Sequence, residues 1–449
     1  MCKFARNNSK NATCRMMKHH GTRMLAAMLA LTFANALNAQ NENFNSGGPF
    51  NQACVKVDSL DATFNTTVSQ MEYALQCAGE APARGSKAGK VFPRTIGTDG
   101  KLVKVGPLDW CSGFFAGSLW QVYDFTKDPM WRQKAEQWTW AVEEAKSYRG
   151  THDLGFMIGN SFGKGYELTG DTALLNVLIE ASRTLISRFS PQVGCIRSWD
   201  FNRDRWKFPV IIDNMMNLEM LFRATQLTGD STFWHVAVTH ANTTMKNHFR
   251  QNASSWHVVD YDPQTGRVRE RCTFQGHADD SYWSRGQSWG LYGFTMSYRF
   301  TRDEAYLRHA RRIADFLLSL PNMPSDGIPY WDMKVPEVEH AKPSQPNASV
   351  PRDASSAAIM ASALYELAAY VDAATSERYR ATADHILGSL STHYRAPQGT
   401  NYGFLLLHST GHLPGNSEID VPLNYADYYY LEALMRQRRW SQAASPAPS

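Results

Sequence analysis

Two aspartates, Asp153 and Asp213, lie at the starts of two successive segments that have the pattern of buried helices. A pair of carboxyl groups suits general acid–base catalysis, in which one group transfers a proton and the other assists. The apolar run Pro-Val-Ile-Ile at 209–212 leads directly into Asp213. Such surroundings partly desolvate a carboxyl group and raise its pKa toward the range of a general acid. We therefore predict acid–base chemistry centred on Asp213, with simple helix capping by both aspartates as the alternative.

Aromatic and polar residues of the kinds that bind sugars occur in the same parts of the sequence. Tryptophan faces stack on sugar rings, whereas Arg, His and Gln hold carboxylate and hydroxyl groups through directed hydrogen bonds. The candidates are Trp110, Trp199, His257, Gln275, His277, Trp283, Arg285, Gln287 and Trp289. Any single tryptophan could instead fill the core. Arg285 is more specific, because an arginine that begins an apolar helix needs an anion or water. The sequence leaves open whether that anion belongs to the protein or to a substrate.

The elements that position these residues form a loose repeat. The stretches 166–171 and 225–230 read YELTGD and TQLTGD, and each closes an apolar helix and opens a more amphipathic one. Similar junctions recur at 123–128, 298–303 and 370–377. At each junction Gly or a polar residue ends one helix, and Asp, Thr or Ser can cap the next.

Helices that are apolar on all sides belong inside a protein, and amphipathic helices belong on its outside. The apolar type is predicted six times, near 112–126, 155–169, 213–228, 284–301, 355–372 and 423–437. Alternation with six outer helices predicts an all-α fold, an (α/α)6 toroid that forms one catalytic domain over residues 40–440. An open α-solenoid is the competing architecture.

Four long connections favour the toroid over the solenoid. They span 195–209, 256–284, 321–353 and 398–423, and each of them precedes an inner helix. In a toroid they would therefore gather at one rim, where loops of this length usually carry function. The prediction is a pocket at the N-terminal rim of the inner helices.

The first 39 residues have the pattern of a secretory signal. They contain six Lys or Arg and no Asp or Glu, an apolar stretch at 24–33, and small residues ahead of Gln40. We expect a mature protein that is periplasmic or secreted, and a disordered tail at 441–449. No later segment is apolar enough to predict a membrane span.

Charge and ligand spacing exclude other classes of function. The chain has 46 Lys and Arg against 42 Asp and Glu without a basic block, which argues against nucleic acid as a partner. His152, His257 and His277 do not have metal-ligand spacing, and no cofactor motif is found, so no metal and no cofactor are expected. The cysteines are predicted to be buried free thiols, although Cys54 and Cys77 could pair.

From about residue 108 to residue 436, the sequence resembles a known family, the unsaturated glucuronyl hydrolases of glycoside hydrolase family 88. The resemblance rests on several motifs in the same order. They are Asp109–Gly117 (DWCSGFFAG), His152–Phe156 (HDLGF), Ile212–Leu218 (IDNMMNL), and Gln275–Asp279 (QGHAD) followed by Trp283–Gly290 (WSRGQSWG). One departure is Cys111, where the family pattern suggests Thr.

The resemblance implies an (α/α)6 barrel that acts on oligosaccharides with a 4,5-unsaturated uronic acid at the nonreducing end. It implies that Asp213 is the general acid and base and that Asp153 assists and positions the sugar. The residues implied to surround the unsaturated sugar are Trp110, His152, Trp199, Asn217, His257, Gln275, Arg285 and Trp289. The Cys111 exchange is expected to alter the polarity of this pocket.

Two other functions remain compatible with the same residues. An inverting glycosidase of the same toroid would divide acid and base roles between Asp213 and Asp153 and would leave the double bond intact. A glycan-binding protein without catalysis could use the same tryptophan-rich rim.

Overall fold

The structure is a computed structural model that describes residues 57–335 and 350–444. Within these residues inner and outer helices alternate along the chain. The outer helices are α1 (Val57–Ala78), α3 (Pro129–Trp140), α5 (Thr172–Ile186), α7 (Ser231–Asn247), α9 (Glu304–Leu318) and α11 (Ala373–His393). The inner helices are α2 (Ser112–Thr126), α4 (Lys164–Thr169), α6 (Leu218–Thr228), α8 (Ser284–Thr301), α10 (Ala354–Leu367) and α12 (Asn424–Ala444). The predicted (α/α)6 toroid is confirmed.

Three inner helices contain turns that are not α-helical. A π-helix, Gly155–Gly163, runs directly into α4, and a 3-10 helix, Ile212–Asn217, runs directly into α6. A 3-10 turn, Ala368–Tyr370, extends α10. Outside the inner helices, another 3-10 turn, Glu143–Ser147, follows the outer helix α3. The first two irregular segments immediately follow or contain the two candidate aspartates, so the sequence-predicted helices at 155–169 and 213–228 begin with unusual turns.

Burial separates the two kinds of helix as the sequence pattern predicts. The inner helix α8 has 14 of its 18 residues buried, whereas the outer helix α9 has seven of 15 buried. The buried residues of α9 recur at helical spacing and form one stripe. The core therefore lies on and between the inner helices, with the outer helices packed around them.

The predicted junctions between inner and outer helices are confirmed. In each junction an aspartate side chain accepts a hydrogen bond from a backbone N–H of the following outer helix. The five capping residues are Asp128, Asp171, Asp230, Asp303 and Asp372. Gly170 and Gly229 end their inner helices with φ of 70° and 76°, a backbone region that favours glycine.

The rim connections contain strands that the sequence analysis did not predict. β1 (Phe92–Ile96) pairs with β2 (Leu102–Val105), and the short β3 (Phe189–Ser190) pairs with β4 (Cys195–Ile196). A three-stranded antiparallel sheet has the order β5 (Pro209–Ile211), β6 (Val258–Tyr261) and β7 (Val268–Cys272). The connection 256–284 is thus partly ordered into a sheet: β6 and β7 form a local hairpin, and β5 adds to β6 from about 50 residues away in the chain.

Two glycines allow neighbouring inner helices to approach closely at the rim. A Cβ atom on Gly155 would lie 2.6 Å from Cα of Asn217, and one on Gly113 would lie 2.1 Å from the Met157 carbonyl oxygen. Both distances are far below van der Waals contact, so only glycine fits. Gly155 therefore brings the segment after Asp153 against the helical turn that contains Asp213.

Of the described residues, 57–335 and 350–440 belong to one compact unit. The predicted signal at 1–39 and the domain start at residue 40 lie outside the described residues. The predicted tail at 441–449 is wrong in its first part, because α12 continues to Ala444, and the remaining residues lie outside the described part. No helix within the described ranges is long and apolar enough to cross a membrane.

The described cysteines Cys77, Cys111, Cys195 and Cys272 carry free thiols, and all but Cys77 are buried. Cys54, the possible partner of Cys77, lies outside the described residues.

Candidate active site

Asp213 lies on the 3-10 turn that begins the third inner helix, and its side chain is 13% exposed. Its Oδ2 atom is buried and has no hydrogen-bond partner among the described residues, and Nε2 of His257 lies 3.8 Å from it. Burial raises the pKa of Asp213 from 3.8 to about 6, since the attraction of His152 and Arg285 only partly offsets it and repulsion from Asp153 adds to it. Asp213 can therefore carry a proton near neutral pH.

His257 is held as a neutral imidazole beside this acid. Its Nδ1 atom accepts hydrogen bonds from the backbone N–H groups of Phe274 and Gln275 at 3.0 and 3.1 Å. The single proton of the neutral ring must then be on Nε2, which faces Asp213. Burial, assisted by the positive charge of Arg285, lowers the pKa of His257 well below its ordinary value. His257 thus presents an N–H donor to the cavity.

Strand pairing explains why His257 and Asp213 meet. β5 leads into the Asp213 turn, β6 follows His257, and the two strands are antiparallel neighbours. The backbone N–H of Ile212 donates to the His257 carbonyl at 3.1 Å. Residues more than 40 positions apart in the chain are thereby fixed side by side.

Asp153 has different surroundings from Asp213. The Thr151 hydroxyl donates to its Oδ2 atom, and Nε2 of His152 lies 3.1 Å from its Oδ1 atom. One carboxylate oxygen therefore accepts a hydrogen bond, and the other lies beside the His152 ring. Neither Asp153 nor Asp213 supplies a side-chain cap to its helix. The alternative of simple helix capping is therefore wrong for both.

Arg285 is 1% exposed and is bound by the protein itself. One guanidinium nitrogen donates to Oδ2 of Asp353 at 3.0 Å and to the Thr410 carbonyl at 2.6 Å, and the other donates to the Gly411 carbonyl at 2.6 Å. Of the two anions that the sequence left open, the structure shows the carboxylate of the protein. The side-chain amide of Gln275 donates to the same Gly411 carbonyl at 3.3 Å. Gln275 and Arg285 therefore hold the 409–412 segment in place at the rim.

The candidate tryptophans lie on two sides of the aspartates. On one side the ring of Phe156 lies 5.5 Å from Trp110 and 5.2 Å from Trp289, and its backbone N–H donates to the Asn217 amide oxygen. Trp289 is completely buried and also packs on Tyr429, whereas Trp110 is half-buried.

On the other side, Trp199 lies 6.1 Å from the His257 ring and is half-buried. Trp283 lies 4.6 Å from His257 and 4.6 Å from the Arg285 guanidinium. The ten candidate residues consequently form one contiguous group.

Two further candidates from the sequence have structural contacts. Gln287 is buried and binds the backbone of Ser255 and Ala253. The backbone N–H of His277 donates to Asp332, and its ring lies 6.3 Å from Trp331. Both residues hold rim loops in place and do not contact the aspartates through any described bond.

Six of the ten candidate residues carry a buried nitrogen or oxygen atom that has no hydrogen-bond partner in the described part of the chain. The atoms are His152 Nδ1, Trp199 Nε1, Asp213 Oδ2, Asn217 Nδ2, His257 Nε2 and Trp289 Nε1. Buried polar groups in folded proteins are almost always satisfied, and leaving one unsatisfied costs about 1–3 kcal/mol. Sixteen other buried atoms of the described chain share this condition, so the six support a polar ligand site only together with the raised pKa of Asp213.

Three functional neighbours were missed by the sequence analysis. Thr151 orients Asp153, and Asp353 pairs with Arg285. Asp353 had a detectable signal, since it directly precedes an inner helix as Asp153 and Asp213 do. The third is a rim cluster in which Arg94 binds Asp109 at 2.9 Å and Glu418. No signal in the sequence connects these three distant positions.

Cys111 belongs to this rim cluster and does not face the cavity. Its buried thiol lies 2.9 Å from Oδ1 of Asp109 and donates to it. Burial raises the pKa of the Cys111 thiol well above its ordinary value, so the thiol is neutral. The expectation that this exchange alters the polarity of the pocket is wrong, because the thiol is covered.

A cavity between the inner helices is lined by nine charged and ten uncharged residues, and Gly155 and Met216, which belong to the segments that carry the candidate site, are among the uncharged ones. The chain of ion pairs Lys164–Glu167–Arg223–Glu219–Arg299–Glu366–Arg436–Glu432 has N–O distances of 2.9 to 3.6 Å. We call these residues the ion-pair chain. It connects five inner helices, and each of its charges faces an opposite charge. This arrangement is suited to structural stability and lacks the uncompensated acid found at the rim.

The model of the family described as Glycosyl Hydrolase Family 88 matches residues 95–312 of this chain. An unsaturated glucuronyl hydrolase from Formosa agariphila is 45% identical over 350 residues, which cover 77% of this chain and 84% of the relative. This chain belongs to glycosyl hydrolase family 88. It is therefore an enzyme of the unsaturated glucuronyl hydrolase type, with the toroid fold of that family.

Two further relatives extend the comparison. An unsaturated chondroitin disaccharide hydrolase from Streptococcus pneumoniae is 30% identical and covers 77% of this chain and 86% of its own length. The crystal structure of an unsaturated glucuronyl hydrolase specific for heparin superposes with a TM-score of 0.79 at 44% identity, and covers 86% of this chain and 99% of its own.

Proposed function

We propose that this family 88 enzyme releases the 4,5-unsaturated uronic acid from the nonreducing end of glycosaminoglycan-type oligosaccharides by adding water across the double bond. One observation carries the proposal: Asp213 is a buried acid with a pKa of about 6, and Oδ2 has no hydrogen-bond partner in the described chain. Relatives named for glucuronyl and chondroitin disaccharide hydrolysis support the substrate class.

The first step uses Asp213 as the general acid. The ring oxygen of the unsaturated sugar donates electron density into the C4–C5 double bond, and C4 takes the proton from Asp213. A cation shared between C5 and the ring oxygen results. Transfer is favoured by a pKa near the working pH, which desolvation of Asp213 provides. Asp153, which accepts a hydrogen bond from Thr151 and lies beside His152, is the second carboxyl group of the site and positions the sugar.

The second step uses the Asp213 carboxylate as a base. It takes a proton from a water molecule whose oxygen bonds to C5, which regenerates the acid and gives a hemiketal. The ring C5–O bond then breaks to form a ketone. The hemiacetal left at C1 loses the remaining oligosaccharide as an alcohol. One residue thus serves both steps, and no covalent bond to the enzyme forms.

The other candidate residues bind and orient the sugar in this proposal. His257, Asn217 and Trp199 each carry a buried nitrogen that has no hydrogen-bond partner among the described residues, and we assign these nitrogens to hydroxyl or carboxylate oxygens of the sugar. Trp110 offers a half-buried ring to a sugar face. Arg285 acts by fixing the 409–412 segment, and its charge lowers the pKa of Asp213 without contacting it through a described bond.

The test is the Asp213→Asn variant on an unsaturated disaccharide, followed by the ultraviolet absorbance of the double bond. The amide keeps the side-chain volume and removes the transferable proton, so kcat is expected to fall about 1000-fold while the far-ultraviolet circular dichroism is preserved. A variant that keeps more than a few per cent of the turnover would contradict the role of Asp213.

Two substrates distinguish the remaining alternatives. An inverting glycosidase would cleave a saturated oligosaccharide and leave the absorbance of an unsaturated one unchanged. A glycan-binding protein would bind both oligosaccharides without turnover, and Asp213→Asn would bind as the wild type does. The proposal requires turnover of the unsaturated substrate alone.

We also propose that the enzyme is exported, on the strength of the basic and apolar pattern in residues 1–39. Amino-terminal sequencing of the protein purified from its own cells is expected to begin just after Ala36 or Ala39. An intact Met1 would contradict export by cleavage.

A further inference from the structure

An aromatic cluster extends from the candidate site to the protein surface. Its members are Trp199, Phe201, Trp206 and Phe274, and this name, the aromatic cluster, is kept below. Trp199 is 6.1 Å from the His257 ring, and Phe201 stacks on Trp199 with a centroid distance of 4.6 Å. The cluster is therefore continuous with the residues around Asp213.

Phe201 is unusual because it is 45% exposed. Only Met130 and Leu227 share this degree of exposure among the large apolar side chains of the described residues. Those two lie far from the cluster, Met130 at the start of an outer helix and Leu227 near the end of α6. A phenylalanine ring exposed to water loses the stabilisation that burial would give it, and the half-buried Trp199 already packs against Trp206 and Phe274 without Phe201.

The segment that carries Phe201 has an excess of positive charge. Residues 197–207 contain four Arg or Lys and two Asp. Arg205 is paired with Glu270 at 2.8 Å, whereas the Arg203 side chain is 72% exposed and its guanidinium is 3.8 Å from Asp200. An exposed ring beside exposed positive charge is suited to a flat, anionic ligand.

We propose that Phe201, with Arg203, forms an outer subsite for the third sugar of the substrate, and that this sugar is a uronic acid. This inference rests on the proposed function. The unsaturated sugar would lie at Asp213 and the second sugar beside Trp199. In a glycosaminoglycan, uronic acid alternates with amino sugar, so the third sugar carries a carboxylate. The subsite therefore favours chains of three or more sugars over disaccharides.

The experiment compares kcat/KM for an unsaturated tetrasaccharide with kcat/KM for the matching unsaturated disaccharide. In Phe201→Ala the tetrasaccharide-to-disaccharide ratio is expected to fall about five- to tenfold, because only the longer chain reaches the ring. Phe201→Tyr keeps the ring and is expected to retain the wild-type ratio. High salt is expected to lower the wild-type ratio, since the contact with Arg203 is exposed.

Leu227→Ala is the matched control. It also removes an exposed apolar side chain, but it lies about 20 Å along the helix from Asp213, so the ratio is expected to stay unchanged. An unchanged ratio in Phe201→Ala, a higher ratio, or an equal loss on both substrates would overturn the outer subsite. Failure of the proposed function gives a different result, because the wild type would then consume the double bond of neither substrate.

Discussion

Asp213 and Glu219 lie six residues apart on the same inner helix, and their carboxyl groups have opposite surroundings. Burial raises the pKa of Asp213 to about 6, and Oδ2 has no hydrogen-bond partner among the described residues. Burial would also raise the pKa of Glu219, but the positive charges of Arg299 and Arg223 outweigh it and lower the value to about 2. One carboxyl group is kept protonatable and the other is kept ionised.

The difference shows how one helix bundle separates catalysis from stability. At the rim, the buried Asp213 and several other buried polar atoms lack hydrogen-bond partners among the described residues, so a ligand that supplies those hydrogen bonds would gain binding free energy. In the cavity between the inner helices, the ion-pair chain compensates its charges and holds five of these helices together. Glu167 follows the same rule, since the pull of Lys164 and Arg223 exceeds the effect of burial and lowers its pKa to about 2.

The largest effect on stability is expected from Glu219→Gln. The amide removes one carboxylate from Arg223 and Arg299, which keep Glu167 and Glu366 as partners. Because these side chains are 21–28% exposed, the expected cost is that of charged hydrogen bonds, roughly 1.5–3 kcal/mol of unfolding free energy. Because the folded-state pKa is lowered, this contribution is fully present above pH 4.5 and is lost as the pH falls toward 2. Urea unfolding at pH 7 measures it. A variant as stable as the wild type would show that the ion-pair chain contributes nothing.

Asp213→Asn is expected to increase the free energy of unfolding at neutral pH, whereas Glu219→Gln is expected to decrease it. The folded-state pKa is raised from 3.8 to about 6, so the stability that Asp213 contributes is present below pH 3.8 and is lost as the pH rises through 6. The neutral amide avoids this loss and is expected to raise the free energy of unfolding at pH 7 by up to about 3 kcal/mol. The gain should nearly vanish at pH 4. Equal stability at both pH values would contradict the buried acid.

The third prediction concerns the pH dependence of turnover. Asp213 must be protonated to act, so kcat/KM on the unsaturated disaccharide is expected to fall about tenfold per pH unit above pH 6. His257 remains neutral through this range, so its titration should not add a second slope to the pH profile of kcat/KM. Glu219→Gln, which titrates no group near pH 6, is expected to keep the same profile. A shifted profile in that variant would mean that the two carboxyl groups are coupled.

The smallest effect is expected from Cys111→Thr. The hydroxyl can donate to Asp109 as the thiol does, and the side chain is buried away from the cavity. We expect kcat/KM to change by less than about threefold and the unfolding free energy by less than about 1 kcal/mol. A tenfold change in kcat/KM would show that the rim cluster of Arg94, Asp109 and Glu418 acts on the site.

The sequence predicted the architecture correctly and singled out Asp213 as the candidate acid. Helix boundaries follow from local signals, and the aspartates at 128, 171, 230, 303 and 372 cap the outer helices as their spacing predicts. Asp213 could be chosen because the apolar run before it is adjacent in the chain. Such features depend on neighbours within a few residues, which a sequence displays directly.

Only the tertiary structure decided which groups face one another. The pairing of β5 with β6 places His257 beside Asp213 and fixes its tautomer through the N–H groups of Phe274 and Gln275. The tertiary structure also pairs Arg285 with Asp353, which is 68 residues away along the chain. A pKa and an ion pair are set by charges and burial within a few ångströms in space. A sequence does not show distances in space. It therefore could not show that burial would raise the pKa of Asp213 while neighbouring arginines would lower the pKa of Glu219.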